Sequence, residues 1–329
     1  MNKSETNIQI DAVITWVDGS DAYWQEKINT YSETKIDFES KKHLKRYNSI
    51  GEIDIAIKGI IKFAPFFKTI YLVTDNQRPK AFEKLKSLAE SRGINLKIVD
   101  HKIIFRGYEK YLPCFNSCSI GSMLFKIPNL SEHFVIFNDD TFIMNPVTIN
   151  DFFINEQPII RGQWQKFNEQ RKLRTLYLKL RVSLGQPIKK GYSFKKLQQT
   201  SAKLAKTDKY LRRFHTPVCL RKSTLQNFFE NNDKLLEANI KHRFRQQDQF
   251  IISSLSEHLE IKKKTFHYRS NAQLTYFRSY KTLFLTKLKL KLFEKDKTKI
   301  FITFQSLDMA DDENLNYILN WIDKKLDFN

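Results

Sequence analysis

Glycine is scarce in this chain, with 9 among 329 residues. A sequence so poor in glycine is not organised around flexible linkers, and no internal repeat or low-complexity tract interrupts it. Cysteine is scarcer still. Cys114, Cys118 and Cys219 form an odd set without a paired framework, which excludes a disulfide scaffold and fits a reducing compartment. Cys114 and Cys118 would need a second Cys or His pair to hold a metal, none of suitable spacing lies nearby, and packed thiols are the better reading. No apolar run reaches the roughly 18 to 20 residues that span a bilayer, and no basic-then-apolar leader precedes the first strand. The expected location is therefore the cytoplasm. Acids are also in deficit, 36 against 56 Lys and Arg, a net charge of +20. Such an excess draws a protein towards polyanions: nucleic acid, anionic lipid or phosphorylated polymers.

What is present is a folding composition, 41% hydrophobic with 27 Phe and 13 Tyr. The length suits one large α/β domain with insertions, or two domains. The centre of the pattern is His133-Phe134-Val135-Ile136-Phe137-Asn138-Asp139-Asp140-Thr141. A short apolar run reads as a strand buried on both faces, and the Asn-Asp-Asp triplet falls where that strand emerges. Ligands collect at the C-terminal edge of open α/β sheets, and adjacent carboxylates suit a hard divalent cation bridging nucleotide phosphates. A plain polar turn has the same composition.

The same punctuation recurs. Residues 10–17 form a first strand ending in Asp18-Gly19-Ser20-Asp21, with Asp21 placed to cap a helix. Ile50, Ile53, Ile57, Ile60, Ile61 and Ala64 share one helical face before Pro65; a strand at 69–74 then runs into Asp75. A helix over 80–92 is capped by Gly93, and a strand at 94–99 leads to Asp100-His101. This β-α-β-α-β alternation predicts a parallel sheet with right-handed crossovers. A helix over 118–127 precedes the Asn138-Asp139-Asp140 strand.

Beyond Pro146 the character changes. Residues 161–213 hold 16 Lys or Arg against Glu169 and Asp208, with helical spacing and no strand-like run. They read as a basic helical insertion, either a solvated face or a landing surface for an anionic polymer or lipid. A short strand at 215–220, a helix from Ser223 to Ala238 and a helix over 250–259 follow. Residues 262–299 are basic again, and Leu283, Leu285, Leu288, Leu290 and Leu292 among the lysines read as amphipathic surface or core packing. A strand at 300–304 leads to Asp308, and a helix over 315–326 closes the chain. The predicted organisation is 1–150 and 214–329 as two parts of one catalytic core, with 151–213 inserted and 261–299 a basic segment. Asp18 with Asp21, Asp75, Asp139 with Asp140, and Asp308 would gather as an anionic cleft that calls for a cation.

These blocks resemble the Stealth family of sugar-phosphate transferases. The first conserved block of that family resembles residues 10–21. Its second block is similar to residues 46–140, including Glu52, Gln77, Pro79, His101, Leu112-Pro113, Phe115, Ser117 and Asn138-Asp139-Asp140. A third block resembles His215-Thr216-Pro217 with Phe244-Arg245 and Asp248, and a fourth resembles Ser306-Leu307-Asp308. Departures are Gly121 where the family carries an acid, Ile50-Gly51 in place of Arg-Asp, Asp75 in place of Asn, and Asp308-Met309 in place of Asn-Asp.

The resemblance implies a Rossmann-like, GT-A-like, mostly parallel α/β sheet. It also implies transfer of a sugar 1-phosphate from a nucleotide-sugar, usually a UDP-sugar, to a glycan hydroxyl, with UMP released. On that reading Asp139, Asp140 and Asp308 hold Mg²⁺ or Mn²⁺. Trp16, Asp18, Asp21, Glu52, Gln77 and Asn138 face the donor, Arg245 clamps the diphosphate, His215 or His101 moves the acceptor proton, and Asp140 counts among the catalytic residues as well as the metal ligands. Expected partners are the donor, a growing anionic glycan and the anionic inner face of the plasma membrane. Two alternatives differ in their product or ligand: a metal-dependent glycosyltransferase would release UDP, and a basic nucleic-acid-binding protein would show steeply salt-dependent binding. Acids at strand ends and the lack of a nucleic-acid module count against the last.

Overall fold

The computed structural model describes residues 8–40, 50–186 and 193–328. The expected start of the family's second block, at residues 46–49, lies outside the described residues. The chain begins with β1 (Ile10–Thr15), the helix Ala22–Tyr31, the helix Glu52–Phe63 and β2 (Phe67–Thr74). The helix Phe82–Glu90, β3 (Asn95–Asp100), the helix Ser117–Met123 and β4 (His133–Phe137) follow. β1 pairs in parallel with β2 and β4, and β2 with β3, as the alternation predicts.

Local chemistry explains the boundaries. Asp21 Oδ1 accepts from the backbone N–H of Tyr23 at 2.9 Å and starts the first helix. Glu52 and Asp54 sit in the first turn of the next one, where negative charge meets the helix dipole. Gly59 in that helix lies against β5 (Thr141–Ile143), and a Cβ there would meet the carbonyl oxygen of Ile143 at 2.7 Å. Only glycine permits so close an approach.

The chain continues through β6 (Phe153–Ile154), β7 (Gln157–Gln165), the helices Lys172–Ser183 and Phe194–Leu204, β8 (Tyr210–Arg213) and β9 (Val218–Arg221). β9 runs antiparallel beside β4 and completes the sheet order β3-β2-β1-β4-β9. Strands β7 and β8 correct the expectation that 161–213 holds no strand. Pro158 to Gly162 is buried in β7, and the Arg161 guanidinium is sequestered by Gln273 Oε1 at 2.8 Å and by the Asp151 carbonyl. A tally of positive charge over this region conceals the buried strand at its edge.

The predicted Ser223–Ala238 helix is two, Lys222–Glu230 and Asp233–Ile240, with Arg221 rather than Ser223 at the first N-cap. The helix Ile252–Lys263, β10 (His267–Arg269), β11 (Leu274–Phe277), the helix Leu283–Lys295, β12 (Phe301–Phe304) and the helix Asp312–Leu326 end the chain. β11, β12 and β5 form a second sheet, and β10, β7 and β6 a third, with β8 paired to β7.

Successive side chains of β1 point to opposite faces. Ile10, Ala12 and Ile14 enter a core with the Glu52–Phe63 helix and β12, while Val13 enters one with the Ser117–Met123 and Ile252–Lys263 helices. Burying each of the isoleucine and valine side chains contributes about 1.5–3 kcal/mol, so both faces stabilise the sheet beneath its C-terminal edge. All three cysteines are free and buried, and burial pushes the Cys114 and Cys219 thiols up to about 12. Among the described residues no helix is long and apolar enough to cross a membrane.

Candidate functional site

Strand direction assembles the site. β4 runs to Phe137 and delivers Asn138, Asp139 and Asp140 at the sheet's C-terminal edge. Because β9 is antiparallel, with Val218 opposite Ile136, the residues ahead of it arrive at that same edge. His215 Nε2 consequently lies 3.0 Å from Asp140 Oδ1 and 3.2 Å from Oδ2, with Asn138 Nδ2 at 3.3 Å.

The second sheet adds a wall. Thr303 of β12 is registered against both Thr141 of β5 and Tyr276 of β11, which carries Tyr276 over the triplet. Its ring meets that of His215 edge-on, with centroids 5.6 Å apart and planes at 71°. Burial and the Asp140 carboxylate hold the Tyr276 phenol above its usual pKa, so it stays protonated.

Arg245 arrives by a different route. Asn116, fully buried, caps the Ser117–Met123 helix through Oδ1, which accepts from Cys118 N–H at 3.0 Å. Its Nδ2 donates to the carbonyls of His242 and Phe244, each at 3.0 Å, and so pins the loop before Arg245 to the helix start. Arg245 Nη2 then donates to Ser117 Oγ at 2.9 Å.

Together these elements line an open cavity of about 1050 Å³, at the upper end of the size of small-molecule sites. Its wall carries Asn138, Asp139, Asp140 and His215, the cations Lys195, Arg212, Arg213, Arg245 and Arg278, and also Thr15, Ser117, Gly121 and Tyr276. Asp139 opens onto the cavity but stands deep within the surrounding protein. That enclosure, with the carboxylates of Asp140 and Glu52 nearby, pushes its pKa upward. The site thus combines concentrated negative charge on one strand end with a ring of guanidinium groups. This arrangement accommodates a polyphosphate beside a cation.

The remaining candidates fall in three places. Gln77 locks the adjacent ends of β1 and β2: its Oε1 accepts from Asp18 N–H at 2.9 Å, and its Nε2 donates to Asp18 O and to Asp21 Oδ2, each at 3.0 Å. Trp16, nearly buried, lies at the end of the same strand. Asp75 is paired with Lys27 at 2.7 Å. His101 is buried at the end of β3, and burial lowers its pKa. It does not line the cavity.

Glu52 accepts from Ile50 N–H at 2.7 Å and acts electrostatically on Asp139. Asp308 lies in a short turn after β12; burial first, then the carboxylates of Glu52, Asp140 and Asp308, raise the pKa of the half-buried Tyr280 phenol, which stays protonated. Among the described residues no three His, Cys, Asp or Glu side chains form a ready metal cage, so Asp308 is not gathered with Asp139 and Asp140 into one. Magnesium does not require such a cage: it binds through one or two carboxylates together with substrate phosphates, and Asp139 with Asp140 fits that mode.

Tyr276, Arg212 and Arg278 are wall residues that sequence reasoning passed over. All three lie in basic stretches where charge counting sees only a surface. The detectable signal is the short β-branched and aromatic run Leu274-Thr275-Tyr276-Phe277 ahead of Arg278.

Stealth protein CR1, conserved region 1, matches residues 9–36, and Stealth protein CR2, conserved region 2, matches residues 46–160. The chain is 33% identical over 257 residues to receptor polysaccharide phosphotransferase WefC of Streptococcus oralis, covering 72% of this chain and 74% of that protein. It is 32% identical over 257 residues to capsular polysaccharide phosphotransferase WcwK of Streptococcus pneumoniae, with coverage of 72% and 74%. Against capsular polysaccharide phosphotransferase fcs1 of Haemophilus influenzae it is 41% identical over 150 residues, covering 45% of this chain and 38% of that one. Among solved structures, the WbbM bifunctional glycosyltransferase is loosely similar, with a TM-score of 0.46 and 11% identity over 99% of this chain and 52% of that one. With its triplet strand inside the matched CR2 region and a relative one-third identical over most of its length, this chain belongs to the Stealth family.

Proposed function

We propose that this chain transfers a sugar 1-phosphate from a UDP-sugar to a hydroxyl of a growing capsular or cell-surface glycan, releasing UMP. The observation that carries the reading is the His215–Asp140 contact of 3.0 Å in the wall of an arginine-rich cavity. With Asp140 ionised, His215 donates Nε2–H to it, and Nδ1 is left as the basic nitrogen. That nitrogen takes the acceptor's proton while the acceptor oxygen attacks the phosphorus bonded to the sugar. The bond broken is the anhydride P–O link to the UMP oxygen. Arg245, anchored on Ser117, and Arg278 hold the diphosphate oxygens in line and spread the charge of the transition state. Asp139 and Asp140 would hold Mg²⁺ or Mn²⁺, which supplies charge neutralisation at the diphosphate.

The test is the released nucleotide when the protein is incubated with Mg²⁺, UDP-sugars and an acceptor glycan extract. UMP, with phosphate retained in the polymer, supports the reading. Release of UDP would overturn it in favour of glycosyl transfer on the same scaffold.

A further inference from the structure

The helix Leu283–Lys295 presents two apolar faces, and among the described residues only one has a partner. Thr286, Leu290 and Phe293 are buried against the Asp312–Leu326 helix, where Phe293 meets Trp321 edge-on at 5.9 Å and Thr286 Oγ1 donates to Asn314 Oδ1 at 2.6 Å. On the opposite side Phe284 is 73% exposed, Leu285 52%, Leu288 44% and Leu292 56%. At 100° per residue these four fall within one quadrant or slightly more of the helix, and Lys291 and Lys295 fall among or beside them. Lys281, also exposed, lies two residues ahead of the helix. The helix's single acid, Glu294, accepts from Trp321 Nε1 at 2.7 Å on the packed side, so no carboxylate of the helix stands on the exposed face.

Scattered exposed leucines need no explanation, but four large apolar side chains on one helical face do. We infer that this face is a docking surface for an anionic lipid membrane, with Phe284, Leu285, Leu288 and Leu292 entering the headgroup and acyl boundary and the lysines meeting lipid phosphates. Charge selects this occupant over a second copy of the chain. A two-fold contact through the face would set Lys291 and Lys295 of both copies against each other, whereas an anionic surface pairs with them. The helix is also held firmly enough to act as a platform, since its other face is part of the core. Only residues 279–282 separate it from Arg278 in the cavity wall, so docking would bring the site near a membrane-borne acceptor.

The test is flotation of the full chain with phosphatidylcholine vesicles, with and without phosphatidylglycerol, at low and high salt. Flotation is expected only with phosphatidylglycerol and is expected to weaken at high salt. In the Phe284→Ser/Leu288→Ser/Leu292→Ser variant binding should be lost, because the exposed apolar area is gone while the lysines remain. In Lys281→Gln/Lys291→Gln/Lys295→Gln the partition constant should fall roughly fivefold per lysine removed. Thermal melting of both variants is expected to match the wild type, since none of the altered side chains is buried.

Absence of flotation by the wild type overturns the inference, as does flotation that both variants retain. Sedimentation of the lipid-free protein tests the competing occupant: a dimer that Leu288→Ser dissociates would assign the face to a second copy instead.

Discussion

His215 and Asp140 stand 75 positions apart in the chain and 3.0 Å apart at the mouth of the cavity. The antiparallel return of β9 beside β4 brings them together. His215 is only partly buried, so His215→Gln removes the base with little effect on stability. The expected result is a loss of transfer of about 10²–10⁴-fold at an unchanged melting temperature. Asp140→Asn should lose activity together with Mg²⁺-dependent stabilisation by the donor. Full activity in a folded His215→Gln protein would remove His215 from the reaction.

Gly121 lines the cavity, and a Cβ built there meets only Ile252 Cγ2, at an ordinary 3.5 Å. Gly121→Ala should therefore be tolerated and gain about 0.5–1 kcal/mol from reduced backbone freedom. Gly121→Glu adds to the wall of the cavity that Asp139 and Asp140 share the acid that the family pattern carries at this position. Its expected signature is tighter Mn²⁺ dependence of donor turnover, read by titrating the metal. Loss of fold in Gly121→Ala would contradict the geometry.

Gly59 is the opposite case. Its missing Cβ leaves room for the Ile143 carbonyl, a backbone atom that cannot swing aside. Gly59→Ala should destabilise the chain by about 1–3 kcal/mol, despite alanine's better helix propensity, because β5 must be pushed from the Glu52–Phe63 helix. Urea unfolding measures it, and an unchanged midpoint would show that β5 can yield.

Glu260 is almost fully buried and accepts from Arg221 Nε at 3.0 Å and Nη2 at 2.5 Å, with the hydroxyls of Thr224 and Thr265 completing its shell. Removing the acid strands a guanidinium. Glu260→Ala is expected to cost about 3–5 kcal/mol in denaturant unfolding, more than the double change Glu260→Ala/Arg221→Ala requires for the lost charge alone. Equal costs would show that the pair is solvated.

The buried His258 ring donates Nδ1–H to the Ser254 carbonyl at 2.6 Å and accepts from Leu211 N–H at 2.9 Å; burial pushes its pKa down to about 4. An unfolded histidine binds its proton near pH 6.5, so from about 6.5 down to about 4 the unfolded chain holds the extra proton. Stability from this group is present above that window and falls as pH is lowered through it, by up to about 3 kcal/mol. Glu257, pushed up to about 7 by burial, acts in the opposite sense, its contribution falling as pH rises from about 4.5 to 7. His258→Asn separates the two. Its cost in unfolding should be largest near neutrality and shrink towards pH 4, and a pH-independent cost would mean the ring is not held neutral.

The elements read best from sequence are those whose signals are local. The strands at the ends of which Asp18, Asp75 and Asn138 stand, and the helix that Asp21 caps, follow from apolar periodicity and cap chemistry, which act within a few residues. Those read poorly have signals diluted by their surroundings. The buried β7 beside a basic stretch and the break at Asn231-Asn232 between two helices are cases in point. Arg161 looks like surface charge until Gln273, 112 residues on, is seen to sequester it.

Sequence by itself determined the alternating α/β order, the family blocks and the acidic triplet at the end of a buried strand, because each is written in neighbouring residues. Only the tertiary structure decided which strand ends share one cavity. It placed His215 and Tyr276 with Asp140 and left His101 and the Gln77 cluster outside the cavity lining. The physical reason is that strand direction and register between distant segments set those distances. Such pairing rests on the packing of two cores, and no stretch of the chain encodes it alone.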